Sequence, residues 1–249
     1  MVTANRPQLC KRAVRCFNRQ SHKNKELVVV DDGDIDLGKI LADVPAPELT
    51  YLKIKHNPSN VLGRLRNIAL EHASGKFVAQ WDDDDWYHPD RLKHQVAALM
   101  KGYDACIMAA TLMHVDTPEY FDHPYAGYLS DGVPGTIMHR NDSLIFYPEL
   151  RRGEDSEYLD RWKERRHIKL PPSTMHLFIR CYHGQNTWEL GHFLRRGRNS
   201  PLDLLSYFWF KIVRDDLFSH RRFQLSAMSK QSYDMYLEDS YAVGIFQPD

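Results

Sequence analysis

Residues 77–92 read Phe77-Val78-Ala79-Gln80-Trp81-Asp82-Asp83-Asp84-Asp85-Trp86-Tyr87-His88-Pro89-Asp90-Arg91-Leu92. An apolar run ends in four consecutive aspartates. Beyond them the chain reads as a helix start, with Pro89 suited to the first helical position and His88 to the cap. Strand, acidic turn and helix are the unit of an open α/β sheet, whose ligands gather where strands end at their carboxyl edge. Two ionised carboxylates about 5 Å apart repel by roughly 3 kcal/mol at an effective dielectric of about 20. Four in one turn therefore need a cation among them, or some keep their protons. A solvated loop is the plainer alternative, but this run closes a strand. Hard oxygen ligands suit Mg²⁺ or Mn²⁺, which take few protein carboxylates and complete their shells with water and substrate phosphate. The first expectation is thus a metal-bridged phosphate ligand.

Outward from this stretch the same unit recurs. Glu26-Leu27-Val28-Val29-Val30 is a β-branched run expected to be buried on both faces, and it too meets acids, at Asp31-Asp32-Gly33. Before it, apolar residues at 9, 10, 13, 14, 16 and 17 mark one face of a helix, with Lys11, Arg12, Arg15 and Arg19 on the other. A strand over Tyr51 to Ile54 leads into a helix carrying Leu62, Leu65, Ile68, Ala69 and His72, stopped by Ser74-Gly75. A helix from Pro89 to Met100 and a strand near Ala105 to Ala110 complete the alternation. It predicts a doubly wound, mainly parallel sheet with helices on both faces.

After Thr111 the rhythm breaks. A Pro, Gly, His and Tyr-rich segment runs to Gly135, followed by short strands near 136–139 and 177–182 around a helix near 154–166. This reads as a smaller second lobe. Residues 202–247 read as one or two helices rich in aromatic and basic residues, packed on the body or presented to a membrane or partner. The expected division is 1–110 for the part that carries the acidic strand ends, 111–200 for the smaller lobe, and 201–249 for a helical extension.

The chain has 249 residues with 33 basic and 33 acidic side chains. Neutral overall charge gives no ground for a nucleic-acid partner. Locally, residues 1–25 hold seven Lys and Arg and no acid. That basic helix reads as a solvated face, with phosphates or an anionic lipid surface as alternatives. Cys10, Cys16, Cys106 and Cys181 lack metal-ligand spacing, and no secretory segment or membrane-spanning stretch is evident. Reduced thiols in the cytoplasm, with at most peripheral membrane contact at the inner face, are the expectation.

With these blocks in order, the first hundred residues resemble the family 2 glycosyltransferases, whose nucleotide-sugar-binding domain has the GT-A fold. The blocks are Thr3-Ala4-Asn5-Arg6, then Glu26 to Gly33, then Asn60-Val61-Leu62-Gly63 with Arg66-Asn67, then Ala73-Ser74-Gly75-Lys76-Phe77, then Asp82 to Tyr87. The match thins to Gly153-Glu154-Asp155 and Tyr182-His183-Gly184-Gln185-Asn186-Thr187-Trp188. Asp34 stands where the family usually has serine. The family's first strand normally begins several residues before the Thr3 block, so a stub of a first strand, and a true start upstream of Met1, are expected.

The resemblance implies an inverting, metal-dependent transfer from a nucleotide sugar, with UDP the expected nucleotide, to a glycan or lipid-linked glycan acceptor in cell-surface polysaccharide synthesis. Asp82 and Asp84 match the family's Asp-x-Asp motif. Asp84 is implied as the direct Mn²⁺ or Mg²⁺ ligand and Asp82 as a neighbour of ribose or metal, with Asp83 an alternative register and Asp85 behind them. Asp32 is implied against the uracil or ribose, Thr3 and Asn5 along the same nucleotide pocket, and Arg66, with Arg64 less directly, at the base or diphosphate. Asp155 matches the general base, although a carboxylate at a helix start is by itself more often a cap or dipole partner. His183 is a candidate third ligand or phosphate contact. Trp188 is either a sugar platform or core, and His192 is a weaker candidate. Two other functions compete: a sugar-phosphate nucleotidyltransferase, whose glycine-rich phosphate loop has no counterpart in Thr3-Ala4-Asn5-Arg6-Pro7, and a non-catalytic nucleotide- or metal-binding module. An EF-hand is excluded because no glycine follows the aspartates at the required place.

Overall fold

The computed structural model describes residues 1–142, 144–184, 186 and 188–247. Gln185 and Thr187 of the His183 to Trp188 block lie outside the described residues. In chain order the elements begin with β1 (Val2–Thr3), α1 (Pro7–Asn18), β2 (Leu27–Asp31), α2 (Gly38–Leu41), β3 (Leu49–Lys53), α3 (Leu62–Glu71) and β4 (Phe77–Ala79). They continue through β5 (Trp86–Tyr87), α4 (Arg91–Leu99), β6 (Ala105–Met108), β7 (Ala110–Val115), β8 (Tyr125–Tyr128), β9 (Met138–Arg140) and α5 (Glu154–Lys163). The last are β10 (His167–Leu170), β11 (Phe178–Tyr182), α6 (Leu190–Arg195), α7 (Pro201–Phe208) and α8 (Ala227–Ala242).

Three sheets form, ordered β1-β2-β3, β10-β6-β9-β4 and β5-β11-β7-β8. The first is wholly parallel, with Val30 beside Val2 and Leu52, and every residue of β2 is buried. That is the burial expected of an unbroken β-branched run covered on both faces. The other two are mixed. β10 runs parallel to β6 and β11 to β7, while β9 is antiparallel to both β4 and β6. β7, β8 and β10 carry no strong alternation or turn signal in the sequence, and the break placed after Thr111 falls inside β7, whose six residues are all buried.

Two boundaries differ from the sequence reading. Trp86 and Tyr87 leave the acidic turn as a short strand antiparallel to β11, and α4 starts at Arg91. His88 still serves this entry, since its Nδ1 accepts the Asp90 N–H at 3.1 Å. The bulky indole of Trp86, fully buried, favours an extended, sheet-packed backbone where a polar residue would have permitted an earlier helix.

The main core lies between α1, α4, α8 and the strands, and includes Val14, Phe17, Trp81, Trp86, Tyr87, Leu99, Phe178 and Tyr236. A second cluster places Tyr147, Tyr158 and Trp162 under α5, and a third gathers Tyr125, Phe193, Tyr207 and Leu217 near the end of the chain. All four cysteines are free and buried. β1 is the two-residue stub anticipated from the sequence. Beyond it, β2 and β4 flank a cavity of about 690 Å³ lined by Met1, Leu27, Val28, Phe77, Val78 and Ala79 among others.

The basic face of α1 is solvated only in part: Lys11 and Arg15 are exposed, whereas Arg12 is buried and Arg19 half-buried. Arg12 is buried and donates to the Asp84 carbonyl at 2.7 Å and to Ser240 Oγ at 3.0 Å. Arg15 Nε lies 2.8 Å from Asp239, which also pairs with Arg19 and accepts Trp86 Nε1 at 2.7 Å. Helix α8, at the far end of the chain, supplies the counter-charge that periodicity in α1 alone cannot reveal. Among the described residues no helix is long and apolar enough to cross a membrane.

Candidate active site

The two acidic strand ends stand side by side. At the end of β2, buried Asp31 accepts from Gly33 N, Tyr51 Oη and Lys53 Nζ at 2.8–2.9 Å, so it is a structural brace. Asp32 accepts from Asn60 Nδ2 at 2.6 Å and lies 3.2 Å from His56 Nδ1. Asn5 adopts a left-handed φ of 56°, and its Oδ1 accepts from Asp34 N and Ile35 N at 2.7 and 3.0 Å. Gly33 is required here, because a Cβ on it would sit 2.5 Å from Asn5 N. Thr3, Asn5 and Asp32 thus meet at one sheet edge, as the sequence anticipated.

The aspartate turn after β4 is held by its own backbone. Tyr87 Oη accepts from Asp82 N at 2.6 Å and donates to the Asp82 carbonyl at 2.9 Å, while Arg12 holds the Asp84 carbonyl. With the backbone fixed, the four carboxylates meet four different environments. Asp82 receives Arg66 Nη2 at 2.9 Å and Gln80 Nε2 at 2.8 Å. Asp83 is buried with Arg6 Nη2 at 2.7 Å, and burial still raises its pKa to about 6 against the pull of Arg6 and the Thr3 hydroxyl. Asp84 also feels burial, but the neighbouring His183 ring, Arg6 and Arg180 outweigh it and hold its carboxyl below the ordinary range. Its Oδ2 lies 3.5 Å from Arg6 Nη1 and from Asn186 Nδ2 and 3.6 Å from His183 Nε2. Asp85 accepts from Cys181 N at 3.2 Å, and burial together with the Asp84 charge raises its pKa well above normal. The repulsion inherent in the sequence is therefore met by cations on two sides, and burial favours the protonated form at Asp83 and Asp85.

Asp83 Oδ2 is buried without a hydrogen-bond partner among the described residues, and so is His183 Nε2, whereas Asp83 Oδ1 is paired with Arg6. Acceptor atoms left over beside an ionised Asp84 fit a hard cation. No cluster of three His, Cys, Asp or Glu side chains is already gathered among the described residues. Few protein ligands, with water and phosphate completing the shell, is the arrangement Mg²⁺ and Mn²⁺ accept.

Asp155 reaches the same place from far along the chain. Gly153, at φ 80°, turns the backbone into α5, and the first turn of that helix carries Glu154, Asp155 and Glu157. Asp155 is half-buried and accepts from Ser156 N at 2.8 Å. A cleft of about 110 Å³ is lined by Asp82 to Asp85, Arg6, Arg66, Glu154, Asp155, Arg180 and Trp188, with Arg151 and Arg152 at its side. Arg66 ties the two halves, with Nε 3.4 Å from Glu154 Oε1 and its guanidinium 5.4 Å from the Tyr147 ring centroid. Trp188 lines this cleft while stacking on His192 at 4.5 Å, so it is both packed and presented. Arg64 is exposed.

Sequence reading missed Arg180 and undervalued Glu154. Arg180 lies on β11 and its cation is strengthened, against burial, by Asp85, Asp155, Asp84 and Asp82. Burial pushes the Glu154 carboxyl up to about 7, despite Arg66. A lone arginine in a strand has no motif around it, whereas Glu154 beside Asp155 was visible and lacked only its Arg66 contact.

The family model for glycosyl transferase family 2 matches residues 1–170. EpsE of Bacillus subtilis (strain 168), named as a glycosyltransferase, is 31% identical over 160 residues, covering 57% of this chain and 56% of its own length. The chain thus spans little more than half of that relative. TarS of S. aureus (residues 1–349, in complex with UDP) superposes with a TM-score of 0.57 at 19% identity, covering 97% of this chain and 79% of TarS. The mannosyltransferase PcManGT of Pyrobaculum calidifontis, in complex with GDP-Man and Mn²⁺, gives 0.55 at 17% identity over 100% of this chain and 74% of its own. Both likenesses establish the fold.

Proposed function

The chain belongs to glycosyl transferase family 2, and from that premise we propose that it is an inverting, metal-dependent transferase moving a sugar from a UDP-linked donor to a hydroxyl of a glycan or lipid-linked glycan. The single observation that carries this reading is that the aspartate turn and Asp155 line one cleft although 70 residues of chain separate Asp85 from Asp155. A leaving-group site and a base on facing walls are what single displacement requires.

Thr3, Asn5 and Asp32 would receive the nucleoside at the end of the parallel sheet. A carboxylate there can accept from ring N–H or ribose hydroxyls, as in the nucleotide-binding edge of other open sheets. Asp84 and His183, with Asp83 or Asp82 behind them, are the residues that would hold Mn²⁺ or Mg²⁺. Such an ion, when bound, supplies Lewis-acid stabilisation of charge on the departing diphosphate. Arg6, Arg66 and Arg180 add fixed cations to the same wall. Asp155 would take the proton of the acceptor hydroxyl as its oxygen bonds to the anomeric carbon and the bond from that carbon to the diphosphate breaks. Residues 1–110 then serve the donor, 111–200 the acceptor and the proton transfer, and 201–249 form a helical extension. A cytoplasmic setting at the inner membrane face, where UDP-sugars and lipid-linked acceptors meet, suits this chemistry and the four reduced thiols. TarS with bound UDP and PcManGT with Mn²⁺ support a nucleotide-sugar ligand and a divalent ion for this fold.

The test is to incubate the protein with Mn²⁺ and a panel of nucleotide sugars and identify the nucleotide formed. Release of UDP from one UDP-sugar, quickened by acceptor, is expected. Pyrophosphate formation from a sugar phosphate and UTP, or binding with no turnover beside competent acceptors, would contradict the proposal.

A further inference from the structure

The segment after α6 carries an apolar face on the wrong side. Helix α7 is pinned to the body by its inner residues. Ser200 caps it by accepting Asp203 N at 3.1 Å, buried Asp203 pairs with Arg221 and Arg222, and Tyr207 enters the third core cluster. Trp209–Val213 continues it as a π-helical turn. With that inner face satisfied, the outer one would ordinarily be polar. Instead Leu202 (75%), Leu205 (69%), Trp209 (55%), Ile212 (71%) and Val213 (60%) stand exposed, with Phe208 beside them. Their spacing of three and four residues puts them on one side of the helix. A cluster of this kind marks an interaction surface.

The surrounding charges select the partner. From Leu204 to Val213 there is no acidic residue, and Lys211 lies within the apolar stretch. Arg195, Arg198 and Arg214 flank it; Arg198 lies over the Tyr207 ring and Arg214 over Phe210. Among the described residues none of these four cations pairs with a carboxylate; Asp215 and Asp216 lie beyond the end of the apolar run, and Asp216 instead caps the Leu217–Ser219 turn. An aromatic and aliphatic face edged by free Arg and Lys is complementary to the headgroup boundary of an anionic bilayer. The helix is also far too short to span one, and no described helix crosses.

We propose that α7 and the turn after it dock this protein on an anionic lipid surface, lying in the interface with Leu205, Trp209 and Ile212 inserted and Lys211 and Arg214 at the phosphates. The docking needs no turnover, so its failure and that of the transferase reading are separable.

The experiment is sedimentation of the full chain with vesicles of phosphatidylcholine alone and of phosphatidylcholine mixed with phosphatidylglycerol. Binding to the mixed vesicles is expected, and only weak binding to the neutral ones. Leu205→Glu with Ile212→Glu should weaken it by at least about tenfold, and Lys211→Gln with Arg214→Gln by roughly thirtyfold. Bromine-labelled acyl chains should quench tryptophan emission in the parent and not in Trp209→Phe. Circular-dichroism melts at parent temperatures show that each variant is folded. Absence of vesicle binding, or binding and quenching indifferent to these substitutions, would overturn the proposal. So would a concentration-dependent dimer abolished by the Leu205 and Ile212 changes, which would give the face to a second copy.

Discussion

Each of the carboxylates in the cleft owes its state to what touches it. Glu154 and Asp155 are neighbours on α5, yet burial beside Arg66 sets Glu154 near pH 7. Its folded value lies above its ordinary 4.5, so the folded chain holds the extra proton between those values. Stability linked to Glu154 is complete below that lower value and is lost as pH rises through the folded one. Denaturant titrations from acid to neutral pH should show the parent losing about 3 kcal/mol more than Glu154→Gln across this window; parallel profiles would refute the assignment. Arg66 is the second such residue. Its Asp82 and Glu154 contacts make it a clamp across the cleft, so Arg66→Ala should weaken UDP binding and Arg66→Lys should restore little, because one ammonium cannot reproduce the two-sided fork. Calorimetric titration with UDP distinguishes these outcomes; recovery of parent affinity by lysine would show that charge alone suffices.

The elements place these residues through contacts that cross long stretches of chain. Helix α3 can approach the 148–150 segment only because residue 63 is glycine; a Cβ there would lie 1.8 Å from the Pro148 carbonyl oxygen. Gly63→Ala should therefore cost about 2 kcal/mol in urea unfolding and, by displacing α3, loosen Arg66 from Asp82. An unchanged midpoint would mean the loop yields freely. Helix α8 acts on the acidic turn from behind. Buried Asp239 is the common partner of Arg15, Arg19 and Trp86, and Trp86 directly follows the aspartates. Asp239→Ala strips the buried Trp86 Nε1 of its acceptor and returns Arg15 and Arg19, both partly exposed, to water, and should destabilise by about 1–3 kcal/mol, with Asp239→Asn milder; equal unfolding midpoints for all three proteins would contradict this role.

Across the whole molecule, the donor-side half was legible because local chemistry and fold coincide there. An unbroken β-branched run ending in acids fixes β2 and an apolar run closed by acids fixes β4, while Thr3, Asn5 and Asp32 were placed by the family resemblance together with those strand ends. The second half resisted reading because β7 and β10 derive their parallel pairing from the distant strands β11 and β6. Arg180, which faces the cleft carboxylates, and Asp239, which holds α1 and Trp86, lie within a strand and a helix with no motif around them. The solvated face assigned to α1 holds for Lys11 and Arg15 and fails for Arg12, whose partners lie on α8 and in the acidic turn. Asp155 was visible through its Gly-Glu-Asp context, and its cleft-lining position through the fold alone. The most direct test of the shared cleft is to measure Mn²⁺-supported UDP affinity and turnover side by side for Asp84→Asn and Asp155→Asn. Asp84→Asn should lose the metal-supported part of UDP binding together with turnover. Asp155→Asn should keep parent affinity for UDP while losing transfer by about a thousandfold or more. Equal loss of UDP affinity in both, or persistent transfer by Asp155→Asn, would contradict the division of labour between the two walls.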